Sequence, residues 1–138
     1  MPKKTKSPER SRIGYKSFIS GMEFERRVVN WLGEQGYVIR WRRRTKRLGE
    51  VDIIAEKGRV FRKVLFVECK RREKGKVTLR DFHKFVTKFE KFLRREPNAE
   101  GLFIYYGELE KDVRDYYNRS LDPDLAEVIT IKKWPKRR

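Results

Sequence analysis

Three charged residues stand at the ends of strongly apolar, β-branched runs. Asp52 lies in Gly49-Glu50-Val51-Asp52-Ile53-Ile54-Ala55, and Glu68 and Lys70 close Val64-Leu65-Phe66-Val67-Glu68-Cys69-Lys70. Burying such groups is costly without partners, and a divalent cation beside a phosphate is a partner that would compensate them. Strand alternation puts Glu68 and Lys70 on one face with Phe66 and Val64. Adjacent strands lie roughly 4.8 Å apart, so Asp52 on a neighbouring strand could share one ion with Glu68. Mg²⁺ needs few protein oxygens because it keeps waters and takes substrate phosphate. The backbone carbonyl of Cys69 is a further candidate oxygen. Lys70 would orient or help deprotonate an attacking water and offset charge building on phosphorus. The competing reading makes Asp52 a turn residue paired with Arg44 or Arg47, and Glu68-Lys70 an ion pair on a half-exposed strand.

Composition suggests a substrate. The chain has 37 Lys+Arg against 20 Asp+Glu in 138 residues, a formal net charge of +17. Such a field attracts polyanions, of which nucleic acid is the commonest. Charge alone fits a noncatalytic binder equally well. The single cysteine, Cys69, excludes an internal disulfide and is expected to be a buried apolar residue. A basic N-terminus with no apolar segment after it, and no stretch able to span a bilayer, point to a cytoplasmic protein with no membrane partner.

The elements that must position these groups follow from periodicity. Residues 1–12 read as a flexible basic arm, 13–131 as one domain, and 132–138 as a basic C-terminal tail. Ser20 to Gln35 reads as a helix with Ser20 as N-cap and Gly36 as stop. Its apolar side carries Phe24, Val28, Trp31, Leu32 and Val29, and Glu25 falls inside that arc whereas Glu23 does not. An inward carboxylate makes Glu25 a site candidate, able to position a second ion or a metal-bound water. Tyr37 to Arg42 reads as a strand, and Arg42-Arg43-Arg44-Thr45-Lys46-Arg47 as a loop that contacts phosphates at the rim of the site. Strands are expected at 50–55 and 63–70, then a helix over 79–95 whose solvent side carries Lys84, Lys88, Lys91, Arg94 and Arg95. A buried strand at 101–106, a short helix over 108–119 and an edge strand at 127–131 complete the order. Arg42, Arg43, Arg44, Lys46, Arg47, Arg71, Arg72, Lys84 and Lys88 are the candidate nucleic-acid contacts.

Asp52 followed, after a hairpin, by Glu68-Cys69-Lys70 resembles the PD-(D/E)XK nuclease superfamily, and Gly21-Met22-Glu23-Phe24-Glu25-Arg26 with Gly36-Tyr37 resembles the helix that precedes its motif. Within the superfamily the chain is similar to archaeal Holliday junction resolvases and Mrr-type restriction endonuclease domains over about residues 20–95. Val51 stands where proline precedes the aspartate in the motif's name. The resolvases' serine in the preceding loop has no counterpart among Arg43, Arg44, Thr45 and Lys46. The resemblance implies an α/β, restriction-endonuclease-like αβββαβ core with a central mixed sheet flanked by helices. It also implies Mg²⁺ dependence with Mn²⁺ as substitute, metal ligation by Asp52 and Glu68, catalysis by Lys70, and Glu25 as the helix acid.

The expected activity is metal-dependent DNA endonuclease, structure-specific or restriction-like. The alternative is a noncatalytic nucleic-acid-binding module that keeps the fold. Cutting two strands symmetrically suggests a homodimer, with Leu102 to Tyr106, Tyr116 and Tyr117 as interface candidates unless the core consumes them.

Overall fold

The computed structural model describes residues 20–44 and 50–135. Helix α1 (Gly21–Glu34) leads into three antiparallel strands, β1 (Val38–Arg44), β2 (Glu50–Lys57) and β3 (Lys63–Val77). Helix α2 (Leu79–Arg95) then crosses to β4 (Glu100–Leu109), and helices α3 (Lys111–Arg119) and α4 (Pro123–Val128) lead to β5 (Ile129–Lys133). The sheet order is β1-β2-β3-β4-β5, with β3, β4 and β5 parallel. This is the mixed sheet with flanking helices that the sequence implies, with α4 as a short helix the sequence reading did not contain.

Local chemistry explains the helix starts. The Ser20 side chain accepts from the Glu23 N–H at 3.0 Å, and Phe24, Val28 and Leu32 recur at four-residue spacing to give α1 one buried face. Thr78 and Asp81 form a reciprocal capping box that opens α2. The two faces of the sheet carry separate cores. Val51, Ile53, Ala55, Leu65, Val67 and Cys69 pack under α1, whereas Phe66, Phe103 and Tyr105 pack under Phe82, Phe85, Phe89 and Phe92 of α2. Each buried phenylalanine contributes about 2–3 kcal/mol of transfer free energy, so the second face is anchored chiefly by its aromatic stack.

Several expectations change. β4 is a central strand: Leu102, Ile104 and Tyr106 are consumed by one core and Phe103 and Tyr105 by the other. Tyr117 spends its hydroxyl on the carbonyls of Ala126 and Ile129, each at 2.7 Å. These residues are therefore not free to form a dimer interface. Lys132 and Lys133 continue β5. Trp134 then donates its backbone N–H to the Tyr105 carbonyl at 2.8 Å and packs its ring against Phe24 and Trp31. Residues 1–12 and 136–138 lie outside the described residues.

Two irregularities bear on the site. In β1, Ile39 pairs with Ala55 but Trp41 pairs with Ile54, so Arg40 is an extra residue, a β-bulge. β3 runs on to Val77, and four of its residues, Arg72 to Gly75, stand opposite Gly107 alone on β4. Gly107 has φ +119°, and a Cβ there would lie 2.4 Å from the Arg72 carbonyl oxygen, so only glycine fits.

Candidate active site

Asp52 and Glu68 are direct cross-strand partners, as are Glu50 and Lys70. Alternation puts all four on the α2 face. Ligand oxygens of Glu50, Asp52 and Glu68 lie within 4.8 Å of one another. Glu50 is a site member the sequence reading missed, although it sits two residues before Asp52 on one strand and must share its face.

The centre of this cluster is taken by Lys88. Its Nζ lies 2.9 Å from both Asp52 oxygens, 2.8 Å from Glu68 Oε1 and 3.3 Å from Glu50 Oε2. Both Glu68 oxygens are buried, and Lys88 meets Oε1 as a close ion pair. Lys88 therefore does not belong to the solvent side of α2 as the helical wheel implied. It lies at the margin of the buried face, where a long stem reaches the carboxylates.

Burial drives the Glu68 carboxyl well above the ordinary glutamate range, against the pull of Lys88. Asp52 is raised for the same reason, with the same opposition. Burial also pushes Glu50 upward. A hydrogen bond with Glu68 and the charges of Lys88 and Lys70 overcome that push, so Glu50 ends below its usual value. Burial works against the charge on Lys88, but Glu68 and Asp52 outweigh it and raise its pKa.

Lys70 is buried on the same face, with its Nζ 3.7 Å from Asp81. Asp81 is held by the Thr78 N–H at 2.9 Å and by Arg72 at 3.1 Å to each oxygen. Burial would raise its pKa, but these contacts together with Lys70 bring it below the usual aspartate value. Asp81 thus ties the start of α2 to the basic end of β3, a role whose only sequence trace is the Thr78-x-x-Asp81 spacing.

The other expected residues divide between places. Glu25 is buried on the α1 face, paired with Arg44 at 2.6 Å and Arg42 at 3.1 Å, and the structure does not bring it into the Glu50, Asp52, Glu68 group. The Glu25 hydrogen bond raises the Arg44 pKa. Arg42, Arg43 and Arg44 form the end of β1 rather than a loop. They are a strand because they pair with Ile53, Asp52 and Val51. Lys46 and Arg47 lie outside the described residues. Arg43 faces Asp52 across the ladder. Arg72 is engaged by Asp81, and Arg71 lies 3.7 Å from Glu73. Lys84 shares a cleft with Glu50, Arg80, His83 and Lys88. Cys69 is a free, fully buried thiol on the α1 side, pushed up in pKa first by burial and then by Glu68, Glu25 and Asp52, which makes it inert as a nucleophile.

The mixed five-stranded sheet with flanking helices is an αβ fold, and it carries the carboxylate cluster and Lys70 on its adjacent strands β2 and β3. The solved structure of EndoMS in apo form is similar to this chain with a TM-score of 0.55 at 16% identity, over 85% of this chain and 47% of that one, so this chain spans about half its length. A family model matches residues 24–100, more than half of the chain, and the protein belongs to UPF0102, described as an uncharacterised protein family. No curated protein matches the chain in sequence. Among the described residues no helix is long and apolar enough to cross a membrane.

Proposed function

We propose that this protein is a metal-dependent endonuclease that hydrolyses phosphodiester bonds in DNA. The observation that carries the reading is the convergence of Glu50, Asp52 and Glu68 within 4.8 Å, beside a buried Lys70 on the same face. Three carboxylates converging in a buried site fit a hard divalent cation, Mg²⁺ or Mn²⁺. When bound, that ion supplies Lewis acidity toward a phosphate oxygen and lowers the pKa of a water.

The chain's own groups would do the rest. Asp52 and Glu68 hold the ion from adjacent strands, with Glu50 and the Cys69 carbonyl as further oxygens. Lys70, fixed from behind by Asp81, orients the attacking water and offsets the charge developing on phosphorus. Arg43, Lys84 and Lys88 line the approach and bind flanking phosphates, and the basic surface supplies distributed affinity. Glu25, held by Arg42 and Arg44, is assigned a role in supporting the site from the α1 side.

One observation favours the noncatalytic alternative: Lys88 already sits among the three carboxylates and offsets part of their charge without an ion. Cleavage of a panel of linear, flapped, single-stranded and four-way junction DNA with Mg²⁺ or Mn²⁺ separates the two. Asp52→Asn, Glu68→Gln and Lys70→Ala should each abolish cleavage and keep DNA binding. Binding with no cleavage of any substrate by the unmodified protein would establish the alternative.

A further inference from the structure

The cleft on the β1 side of Lys88 has a composition that phosphate binding alone does not require. Its volume is about 430 Å³. Asp52 and Lys88 form the wall it shares with the carboxylate cluster, and Arg43, Lys91 and Arg95 supply cations. Trp41 and Phe92 supply aromatic surface. Trp41 is 43% exposed, an unusual state for so large an apolar side chain, and no aromatic neighbour among the described residues stacks on it. The bulge at Arg40 puts it there. Ile39 packs with the α1 core, and regular alternation would turn Trp41 to that side as well, but the extra residue aims it at the α2 face opposite Ile54. Bulges commonly re-aim side chains next to functional sites.

We infer that this cleft is a nucleobase subsite in which Trp41 stacks against an unpaired base adjoining the scissile phosphate, so that the preferred substrate is DNA with a single-stranded segment at the cleavage point. The inference rests on the nuclease reading for the position of the scissile phosphate. A base within a duplex has both faces covered by its neighbours and cannot lie on an indole, whereas an unpaired base can. Arg43, Lys91 and Arg95 match the phosphates on either side of such a base. The combination of aromatic platform and cationic groove is how proteins hold single strands. The sharing of Asp52 between cleft and cluster makes the bound nucleotide a neighbour of the reacting one.

The test is metal-free binding, which does not depend on cleavage. Fluorescence anisotropy in EDTA compares a labelled single strand with the duplex of the same sequence, for the unmodified protein, Trp41→Ala and Trp41→Phe. Trp41→Ala should weaken single-strand binding on the order of tenfold or more and leave duplex binding within about twofold, and Trp41→Phe should recover most of the loss. Indole fluorescence should be quenched by the single strand, and the quench should vanish in Trp41→Phe. Equal losses on both DNAs, or no loss on either, would overturn the subsite even if the protein cleaves DNA. Selective single-strand loss in a protein that cuts nothing would keep the subsite and remove the nuclease reading.

Discussion

Lys88→Met removes the one cation that, among the described residues, touches all three carboxylates, while keeping most of the stem's apolar volume. Glu68 is fully buried, and Asp52 is nearly so. Removing one partner of a buried ionic group typically costs about 3–5 kcal/mol, and the third of Lys88 that remains in water places the loss near the lower end, about 3 kcal/mol. For a chain of this length that corresponds to a fall of roughly 10 °C in Tm. The loss should depend on pH in a defined direction. The Glu68 carboxyl is raised in the folded state, so its contribution favours the fold at low pH and is lost as pH rises through that raised value. Without Lys88 that elevation grows, and the variant's deficit should be largest above neutrality and shrink toward pH 5. A bound divalent ion should replace the missing charge. At a hundredfold its Kd it returns about 2.7 kcal/mol, close to the whole deficit. Differential scanning fluorimetry in EDTA and in Mn²⁺, from pH 5 to 8, reads all of this. Equal Tm values for variant and parent in EDTA, or equal increments on adding Mn²⁺, would refute the view that Lys88 and the ion serve the same carboxylates.

Glu25→Gln should impair cleavage and Glu23→Gln should not, because Glu25 is buried between Arg42 and Arg44 while Glu23 serves the helix end and Arg27; equal activities would leave Glu25 without a part in the site. Gly107→Ala should cost roughly 3 kcal/mol or more, since its Cβ would strike the Arg72 carbonyl, whereas Gly75→Ala, with φ +75° and open space around it, should cost about 1 kcal/mol in thermal or urea melts. DNA affinity should fall steeply with salt, and Lys84→Gln, Lys91→Gln and Arg95→Gln should each flatten the log–log slope by about 0.7–0.9 for every phosphate left without its cation.

The sheet and its two main helices were legible because their patterns are local. The Phe82, Phe85, Phe89 and Phe92 spacing and the Ser20 cap declare α2 and α1 on their own, and the αβ class follows from element order. Asp52, Glu68 and Lys70 stood out because charge at the end of an apolar strand is conspicuous. What escaped depends on contacts between distant segments. Lys88 reads as one more lysine on a basic helix until the distance across to β2 and β3 is known, and Asp81 reads as a helix cap until Arg72 and Lys70 arrive from β3. The interface assigned to Leu102 to Tyr106 failed because an apolar run cannot announce whether its partner lies in the same chain. The arginines at the end of β1 look like a loop by their charge alone, whereas backbone pairing with β2 decides their conformation.

The residue at position 40 gives β1 one unit of slack. Ile39 is set by the α1 core, and Trp41 through Arg44 are set by their pairing with Val51 to Ile54. Arg40 absorbs the difference, its side chain reaching Glu56 at 2.7 Å. Deleting it alone would let Trp41 follow directly on Ile39 in a regular ladder, with both ends in place and Glu56 still held by Arg62 at 2.9 Å. Deleting Arg42 instead would force the strand to choose between burying Ile39 and presenting Trp41 to the cleft. The two neighbouring deletions, alike in length and in charge, would therefore have opposite fates. Tolerance along this strand is set by phase, and Arg40 is where a residue can be removed without changing it.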